Sequence, residues 1–338
     1  MRTPASFVLY AALAATMFHV HTAVGAEAGA KKPARSRGQP PARYLDTTTT
    51  DPLANKAPGG VSHRFLKSGW ASRSLAIVGK DGKVEWELKD SRETSDSWHL
   101  PDGGVVFSHR DGITRLSPKK ETVWTYTVPK GKETHSCQPL GDGGFLVGES
   151  GDGQWMVELT ADGKVRKKLK VSDHKDGRHA FRQVRKTPEG TYLATIMSKN
   201  TTYEWDAAGK LVRTFPNGRY VAIRLPNGHT VTSGPLKGKG WPIAEFDKDG
   251  KLVWSLTTDD EKALGFGLRM ICGMHVLPNG NIVACNLLHG GPPNAPELFE
   301  VTRDKKVVWI IDDDRLNRVG SVQLLDVPGD VYKGQVLR

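Results

Sequence analysis

Histidine and arginine side chains in the middle of this 338-residue sequence are its best candidates for chemistry. His135, His179 and His275 can each act as an acid, a base or a nucleophile near neutral pH. Arg182 and Arg185 can bind a carboxylate or a sulfate through paired hydrogen bonds. We therefore predict that the histidines are candidate catalytic residues and that the arginines bind an anionic ligand.

Five further polar residues are predicted to contribute to ligand binding: Gln138, Gln183, Gln323, Asn286 and His289. For any single histidine, the alternative is a place in a solvated loop or in a satisfied polar core. For the polar residues as a group, the alternative is a hydrated channel without a chemical function.

Motifs of well-known catalytic and cofactor sites are absent from the sequence. It contains no GxSxG, HExxH, Walker or dinucleotide-binding motif. The stretch DKDGK at 247–251 resembles a piece of a calcium loop, but it lacks the glutamate at position twelve of such a loop. Cys137, Cys272 and Cys285 form no CxxC motif and are expected to be buried free thiols. We therefore predict no metal and no cofactor.

The elements that must position these residues repeat along the chain. Turns related to Leu-Pro-Asp/Asn-Gly recur, and Asp-Gly and Asn-Gly favour two-residue hairpins between twisted strands. Their spacing fits a four-stranded propeller blade. The turn glycines are Gly103, Gly143, Gly190, Gly228 and Gly280.

A second hairpin, with a DGK-like turn followed by a strand that ends in an aromatic or apolar residue, occurs six times, for example at 76–88 and 242–256. The first hairpin occurs five times, so residues 319–338 are predicted to supply the missing inner strands. The fold class is therefore all-β, a propeller of six four-stranded blades that is closed by joining the N- and C-terminal strands. Four tryptophans are predicted to pack between blades: Trp86, Trp124, Trp254 and Trp309. Residues 259–268 suggest a helical turn or an insertion.

The strand before each Leu-Pro-Asn-Gly turn is predicted to be the innermost strand of its blade and to line a central channel. Alternate positions of this strand are mostly polar, and the positions between them are mostly apolar. Because side chains alternate along a strand, we expect the polar set to face a wet axis. Counted back two and then four residues from the leucine position, this set comprises Trp98, Gln138, Arg185, Ile223, His275, Gln323, Asp96, Ser136, Gln183, Val221, Gly273 and Ser321.

The first 60 residues differ in composition from the rest. A basic residue precedes an apolar run from Phe7 to Val20, and small residues then suit a cleavage site, so residues 1–26 are predicted to be a secretory signal peptide. The alternative is a single membrane anchor. Residues 27–60 are predicted to be a disordered basic linker, and residues 61–338 the propeller domain. We therefore expect a secreted or periplasmic protein.

The formal net charge is +11, which favours anionic partners through long-range attraction. The alternative is that the excess lysines and arginines are simply solvated on outer strands and linker. We predict an anionic small molecule or carbohydrate as the ligand, with a protein partner on the blade surfaces as a further option. Export disfavours nucleic acid, and no later segment is apolar and long enough to span a membrane.

The repeated unit of a strand, a DGK turn and a VVW-like strand resembles the pyrroloquinoline-quinone-like repeat of the quinoprotein alcohol dehydrogenase-like superfamily. Residues 61–338 are similar to exported bacterial propellers that are distantly related to arylsulfotransferases. By analogy, the resemblance implies that His275, with His135, His179 and Arg185 around it, accepts a sulfuryl group. Quinone-dependent members have larger propellers, adjacent cysteines and a calcium site. This chain has six repeats and no adjacent cysteines, so we do not expect pyrroloquinoline quinone.

The function that these observations favour is the binding of an anionic small molecule or glycan fragment at the channel of an exported propeller. The first alternative is an enzyme at the same channel, which catalyses arylsulfotransferase-like sulfuryl transfer, or hydrolysis or elimination on sulfated or uronic sugars. The second alternative is a scaffold whose blade surfaces bind another protein.

Overall fold

The tight turns of the repeat adopt the conformation that their sequence predicts. The glycines of the five Leu-Pro-Asn-Gly-like turns have φ angles between 81° and 86°. This left-handed conformation costs a residue with a Cβ atom about 1 kcal/mol or more. Each turn joins the two innermost strands of a blade in antiparallel register.

The computed structural model of the chain describes residues 51–70, 73–89, 91–175, 180–287, 295–316 and 318–338. The predicted signal peptide and residues 27–50 of the predicted linker lie outside these ranges. His179 and His289, both predicted site residues, also lie outside them.

Strands dominate the described residues. In chain order they are β1 (Asn55–Lys56), β2 (Phe65–Gly69), β3 (Ser74–Val78), β4 (Val84–Leu88), β5 (Ser97–His99), β6 (Val105–His109), β7 (Gly112–Leu116), β8 (Thr122–Thr127), β9 (Glu133–Pro139), β10 (Phe145–Ser150), β11 (Gln154–Leu159), β12 (Val165–Ser172), β13 (Phe181–Lys186), β14 (Tyr192–Ile196), β15 (Thr201–Trp205), β16 (Leu211–Pro216), β17 (Val221–Arg224), β18 (Thr230–Ser233), β19 (Ile243–Phe246), β20 (Leu252–Leu256), β21 (Met270–Val276), β22 (Ile282–Leu287), β23 (Leu298–Val301), β24 (Val307–Ile311) and β25 (Ser321–Leu324).

Within the described ranges these strands form six antiparallel sheets, which are the six predicted blades. From the channel outward, blade 1 contains β25, β2, β3 and β4, blade 2 contains β5 to β8, and blade 3 contains β9 to β12. Blade 4 contains β13 to β16, blade 5 contains β17 to β20, and blade 6 contains β21 to β24 with β1 at its outer edge. The structure therefore confirms an all-β propeller of six blades.

Helical structure in the described ranges is confined to the 3-10 turns Met197–Lys199 and Thr258–Asp260 and the single α-helical turn α1 (Glu261–Leu264). The last two confirm the helical turn that was predicted between residues 259 and 268. None of the helices in the described part of the chain has the length and apolar character needed to cross a membrane.

The ring is closed by pairing between the two ends of the chain. Strand β25 pairs with β2, where Ser321 lies opposite Ser68, and so supplies the innermost strand of blade 1. Strand β1 pairs with β24 in blade 6. This joint closure confirms the prediction, and it gives β2 an inner partner strand.

The last part of the predicted linker belongs to the propeller in this structure. Leu53 is buried in the core between blades 6 and 1, and its N–H donates to the carbonyl of Gly82 at 2.9 Å. Asn55 and Lys56 form β1. Main-chain pairing along β24 and burial of an apolar side chain order these residues, although their local composition predicts disorder.

The tryptophans of the outer hairpins pack between blades, as predicted. The indole N–H of Trp124 donates to the carbonyl of Ala161 in the outer turn of the next blade at 3.0 Å. That of Trp254 donates in the same way to Arg303 at 2.8 Å. Trp309 is fully buried between blades 6 and 1. These contacts join neighbouring blades away from the channel.

Candidate functional site

Three inner strands carry a β-bulge near the start of the strand. In β9, β13 and β21, one more residue lies on the inner strand than on its partner at this point. The bulges include His135, Arg182 and Cys272, respectively. A bulge redirects a side chain, and such bulges are common beside functional sites. Here they occur at the end of the channel where the inner strands begin.

Equivalent positions in the six repeats form a ring at this end of the channel, which we call the mouth ring. Each position lies five residues before the leucine position of the turn. The mouth ring consists of Ser95, His135, Arg182, Tyr220, Cys272 and Gly320. All of these except His135 line one small cavity, the mouth cavity, with a volume of about 20 Å³.

The floor of the mouth cavity is a buried ion cluster. Asp96 binds the Nη1 atom of Arg185 at 2.9 Å and lies 3.4 Å from the Nη2 atom of Arg338. The Nε atom of Arg185 also donates to the main-chain oxygen of Arg338 at 2.6 Å. Both guanidinium groups lie over the Trp98 ring, at 5.2 Å and 4.4 Å from its centre. These contacts hold both arginines in the channel, and Asp96 balances one of their two positive charges.

Arg182, by contrast, is a cation with spare hydrogen-bonding capacity. Its Nε atom donates to the sulfur of Met197 at 3.0 Å, and its two Nη atoms have no hydrogen-bond partner among the described residues. Burial, with a smaller contribution from Arg219, lowers the pKa of Arg182. An arginine nevertheless stays protonated in proteins, so a positive charge faces the mouth cavity.

Arg219 adds a second positive charge beside Arg182. Its Nη1 atom donates to the side-chain oxygen of Asn200 at 2.6 Å. Its guanidinium lies 5.7 Å from the ring centre of Tyr220 and 5.5 Å from that of Trp241. Among the described residues, neither Arg182 nor Arg219 forms an ion pair with a carboxylate, so the mouth is positively charged on this side.

Cys272 lies on the wall of the mouth cavity. Burial raises the pKa of its thiol to about 12. The thiol therefore stays protonated at neutral pH and is a poor nucleophile. Cys137, Cys272 and Cys285 are all free thiols.

Four residues predicted to face the channel also connect neighbouring blades. The side-chain oxygen of Gln183 accepts from the N–H of Ala222 at 2.8 Å. Gln138 and Gln323 bind the main chain of Lys186 and His99 in the same way. His275 accepts from the N–H of Leu324 at 3.1 Å through its Nδ1 atom, and burial lowers its pKa to about 3. These side chains hold one inner strand to the next around the axis.

The structure therefore separates the predicted site residues into groups. Arg182, Gln183 and Arg185 line the mouth cavity, and His135 lies beside it. Gln138 lies on the opposite side of the ion cluster, whereas His275 is buried between β21 and β25. Asn286 holds the loop before β21, since its side-chain oxygen accepts from the N–H of Arg269 at 2.6 Å. No group of three or more His, Cys, Asp or Glu residues in the described ranges is arranged to hold a metal ion.

A second and larger cavity lies at the end of the channel where the Leu-Pro-Asn-Gly turns meet, with a volume of about 480 Å³. Its wall includes Lys186 and Arg224, which form ion pairs with Glu158 at 2.7 Å and with Glu204 at 2.5 Å. Because these charges are neutralised within the protein, this cavity attracts an anion less strongly than the mouth does.

Ser95, which lies in the mouth ring, was not predicted from the sequence to be a site residue, and neither was Cys272. The signal that identifies both is the repeat register, because the mouth ring lies one residue before the positions counted back by four. In β9, β13 and β21 a bulge includes this neighbouring position, and simple alternation along a strand does not predict a bulge.

Comparison with known proteins supports the fold. The chain is similar to a protein of unknown function from Bacteroides caccae, with 22% identity and a TM-score of 0.69 over 78% of this chain and 98% of that chain. It is also similar to a virginiamycin B lyase from Staphylococcus aureus, with 12% identity and a TM-score of 0.53 over 76% and 87%. A calcium-binding regucalcin from Agrobacterium tumefaciens has 11% identity and a TM-score of 0.52 over 77% and 95%.

These similarities define the chain as a six-bladed β-propeller and go no further than the fold. No family model matches the sequence, and no curated protein matches it. The resemblance to pyrroloquinoline-quinone-like repeats and to arylsulfotransferases therefore stays a prediction.

Proposed function

We propose that this propeller binds a small anionic molecule, or the acidic group of a glycan fragment, in the mouth cavity. The observation that carries the proposal is the guanidinium of Arg182: the residue lines the cavity, and its two Nη atoms have no partner among the described residues. The free edge formed by the two Nη groups of a planar guanidinium suits the two oxygens of a carboxylate or a sulfate.

The surroundings of Arg182 support an anion rather than a neutral ligand. Arg219 adds positive charge, and Tyr220 contributes an aromatic wall and a hydroxyl group. The carboxylate of Asp96, at the floor of the cavity, is neutralised by Arg185 and Arg338. A bound anion therefore meets no uncompensated negative charge at the floor.

A thermal-shift titration of the purified protein tests this proposal, with sulfate, 4-nitrophenyl sulfate and galacturonate as separate probes. A ligand that binds only the native state at about 100 times its Kd stabilises that state by about 2.7 kcal/mol. We therefore expect the melting temperature to rise by several degrees with at least one of these anions. Arg182→Gln should abolish this rise.

The matched control is Arg64→Gln, which removes an exposed arginine that pairs with Glu85. This variant should keep the full thermal shift. A shift that survives Arg182→Gln would remove Arg182 from the site, and no shift with any of the three anions would favour a protein-binding scaffold instead.

A further inference from the structure

Three side chains beside the mouth cavity form a series of contacts that anion binding does not need. The Oγ atom of Ser95 lies 3.3 Å from the Nδ1 atom of His135. The Nε2 atom of His135 lies 3.9 Å from the Oε1 atom of Glu133. The loop before β5 supplies the serine, and β9 supplies the histidine and the carboxylate. The three side chains lie in the order serine, histidine, carboxylate.

The second contact joins two buried atoms with unused hydrogen-bonding capacity. His135 Nε2 and Glu133 Oε1 are both buried, and neither has a hydrogen-bond partner among the described residues. At 3.9 Å, a small rotation of either side chain brings them to hydrogen-bond distance. The second oxygen of Glu133 accepts from the Nε atom of Arg110 at 2.9 Å, which holds the carboxylate in place.

The protonation states suit proton transfer from Ser95. Burial, followed by the charge of Arg182, lowers the pKa of His135 to about 4, so the imidazole is neutral and can accept a proton at neutral pH. Contact with His135, together with Arg110, lowers the pKa of Glu133 to about 2, so the carboxylate is ionised. In the tautomer with hydrogen on Nε2, His135 accepts from Ser95 through Nδ1 and, after that small rotation, donates to Glu133 through Nε2.

The position of Ser95 makes it accessible to a ligand. Ser95 is half-buried and lies in the loop before β5, whereas His135 is only 8% exposed behind it. Ser95 lines the same cavity as Arg182. A molecule whose acidic group binds Arg182 can therefore place a second group against the hydroxyl of Ser95.

We propose that the mouth cavity is the active site of a serine-dependent hydrolase for small carboxylic esters that carry an acidic group. Ser95 is the nucleophile, His135 is the general base, and Glu133 is a positioning residue that orients His135. The substrate class rests on the proposed function, because Arg182 binds the acidic group of the ester.

The reaction balances with water as the only co-reactant. The Ser95 hydroxyl gives its proton to His135 while its oxygen forms a bond to the ester carbonyl carbon, and the carbonyl electron pair moves to oxygen. Collapse of this intermediate breaks the bond to the alcohol oxygen, which takes the proton from His135. Water then attacks the acyl group on Ser95 and gives a proton to His135. That proton returns to the Ser95 oxygen as the acid is released.

Covalent labelling tests the nucleophile directly. The purified protein is treated with phenylmethylsulfonyl fluoride and with 4-carboxybenzenesulfonyl fluoride, and the modified peptide is identified by mass spectrometry. We expect one adduct per chain, on Ser95, to form at least tenfold faster with the carboxylated reagent. Ser95→Ala should abolish it. The matched control is Ser198→Ala, which removes an exposed serine that contacts the Nε2 atom of His174 at 3.0 Å and should leave labelling unchanged.

Hydrolysis of mono-4-nitrophenyl succinate and of 4-nitrophenyl acetate tests the reaction. Ser95→Ala should reduce the enzymatic rate at least 100-fold for both esters, with circular dichroism confirming that the variant is folded. With the acetate ester, kcat/KM should rise with pH near 4 and stay constant above about 6, because the pKa of His135 is about 4. The groups that face His135 are Ser95, Glu133, Arg110 and Arg182. Glu133→Gln removes a negative charge beside His135 and should move this rise to lower pH, which a general loss of structure would not do.

The same experiments separate failure of this proposal from failure of anion binding. If anions shift the melting temperature through Arg182 but Ser95 is neither labelled nor needed for hydrolysis, the hydrolase is wrong and the anion site stands. If Ser95 reacts equally with both reagents, and Arg182→Gln leaves KM for the succinate ester unchanged, the nucleophile stands and the acidic substrate class is wrong.

Discussion

At the scale of single residues, Lys67 carries an ionisable group into the interior of blade 1. It is fully buried on β2, and its Nζ atom donates to the hydroxyl of Ser74 at 2.8 Å. Burial lowers the pKa of Lys67 from 10.5 to about 8, and Glu87 opposes this change. Lys67 is therefore charged in both the folded and the unfolded state below pH 8, and burying this charge reduces stability there.

This burial makes stability depend on pH in a defined direction. Between pH 8 and 10.5 the folded state binds fewer protons than the unfolded state, so the contribution of Lys67 to stability rises with pH. The stability gained by Lys67→Met should be about 3 kcal/mol larger at pH 7 than at pH 10.5, as follows from the lowered pKa of about 8. Urea unfolding of both proteins at the two pH values measures this difference. The exposed Lys119→Met should show no such change, and an equal effect of Lys67→Met at both pH values would contradict the prediction.

At the scale of elements, the inner strands both bind one another and shape the mouth. Their turn-side halves carry Gln138, Gln323 and His275, which contact the main chain of the next blade. Their first residues include the bulges that redirect His135 and Arg182. A polar inner strand is therefore compatible with a stable fold. Its polar side chains accept hydrogen bonds from main-chain N–H groups of the next blade, which belongs to a different sheet.

Gln183 allows a test of this contribution to stability. Gln183→Leu leaves the buried N–H of Ala222 without its acceptor, so the free energy of unfolding should fall by about 1–3 kcal/mol. The matched control is Gln335→Leu, because Gln335 accepts in the same way from the N–H of Asp330 but is exposed to water. The control should change stability by less than about 0.5 kcal/mol. Equal effects of the two substitutions in urea unfolding would show that the inter-blade bond adds little.

At the scale of the whole molecule, the ring depends on two unequal pairings of the chain ends. Strand β25 is the innermost strand of blade 1, and the residues after it place Arg338 in the channel cluster. Strand β1 adds only two residues to the outer edge of blade 6. Removal of β25 takes away the innermost strand of blade 1, next to the channel. Removal of β1 takes away only an outer edge strand of blade 6.

Two truncated variants compare these pairings. A chain that ends at Gly320 should lose the cooperative urea transition monitored by tryptophan fluorescence, since β2 then has no inner partner and Asp96 loses Arg338. A chain that begins at residue 58 should unfold cooperatively at a lower urea concentration, because it lacks β1 and the buried Leu53. Two cooperative transitions of similar midpoint would mean that closure through β25 is dispensable.

The repeat spacing was enough to predict the six blades, the innermost strand of each blade and the closing role of residues 319–338. These features follow from local physics, because turn glycines and alternating side chains specify hairpins, and hairpins of this length build blades. The same alternation placed Arg185 inside the channel, whereas Arg182 lies outside the alternating set. Composition alone, however, predicted that the linker extends to residue 60, because it does not show the pairing of β1 with β24.

Only the folded structure shows which polar side chains are paired within the protein and which are available to a ligand. Ser95 and His135 are 40 residues apart in sequence and meet because blades 2 and 3 are neighbours around the axis. Arg182 and Arg185 look alike in the sequence, yet Arg185 is bound by Asp96 and the Nη atoms of Arg182 have no partner among the described residues. Whether a charge is neutralised depends on side chains that lie close in space but far apart along the chain. Sequence spacing alone does not predict these contacts.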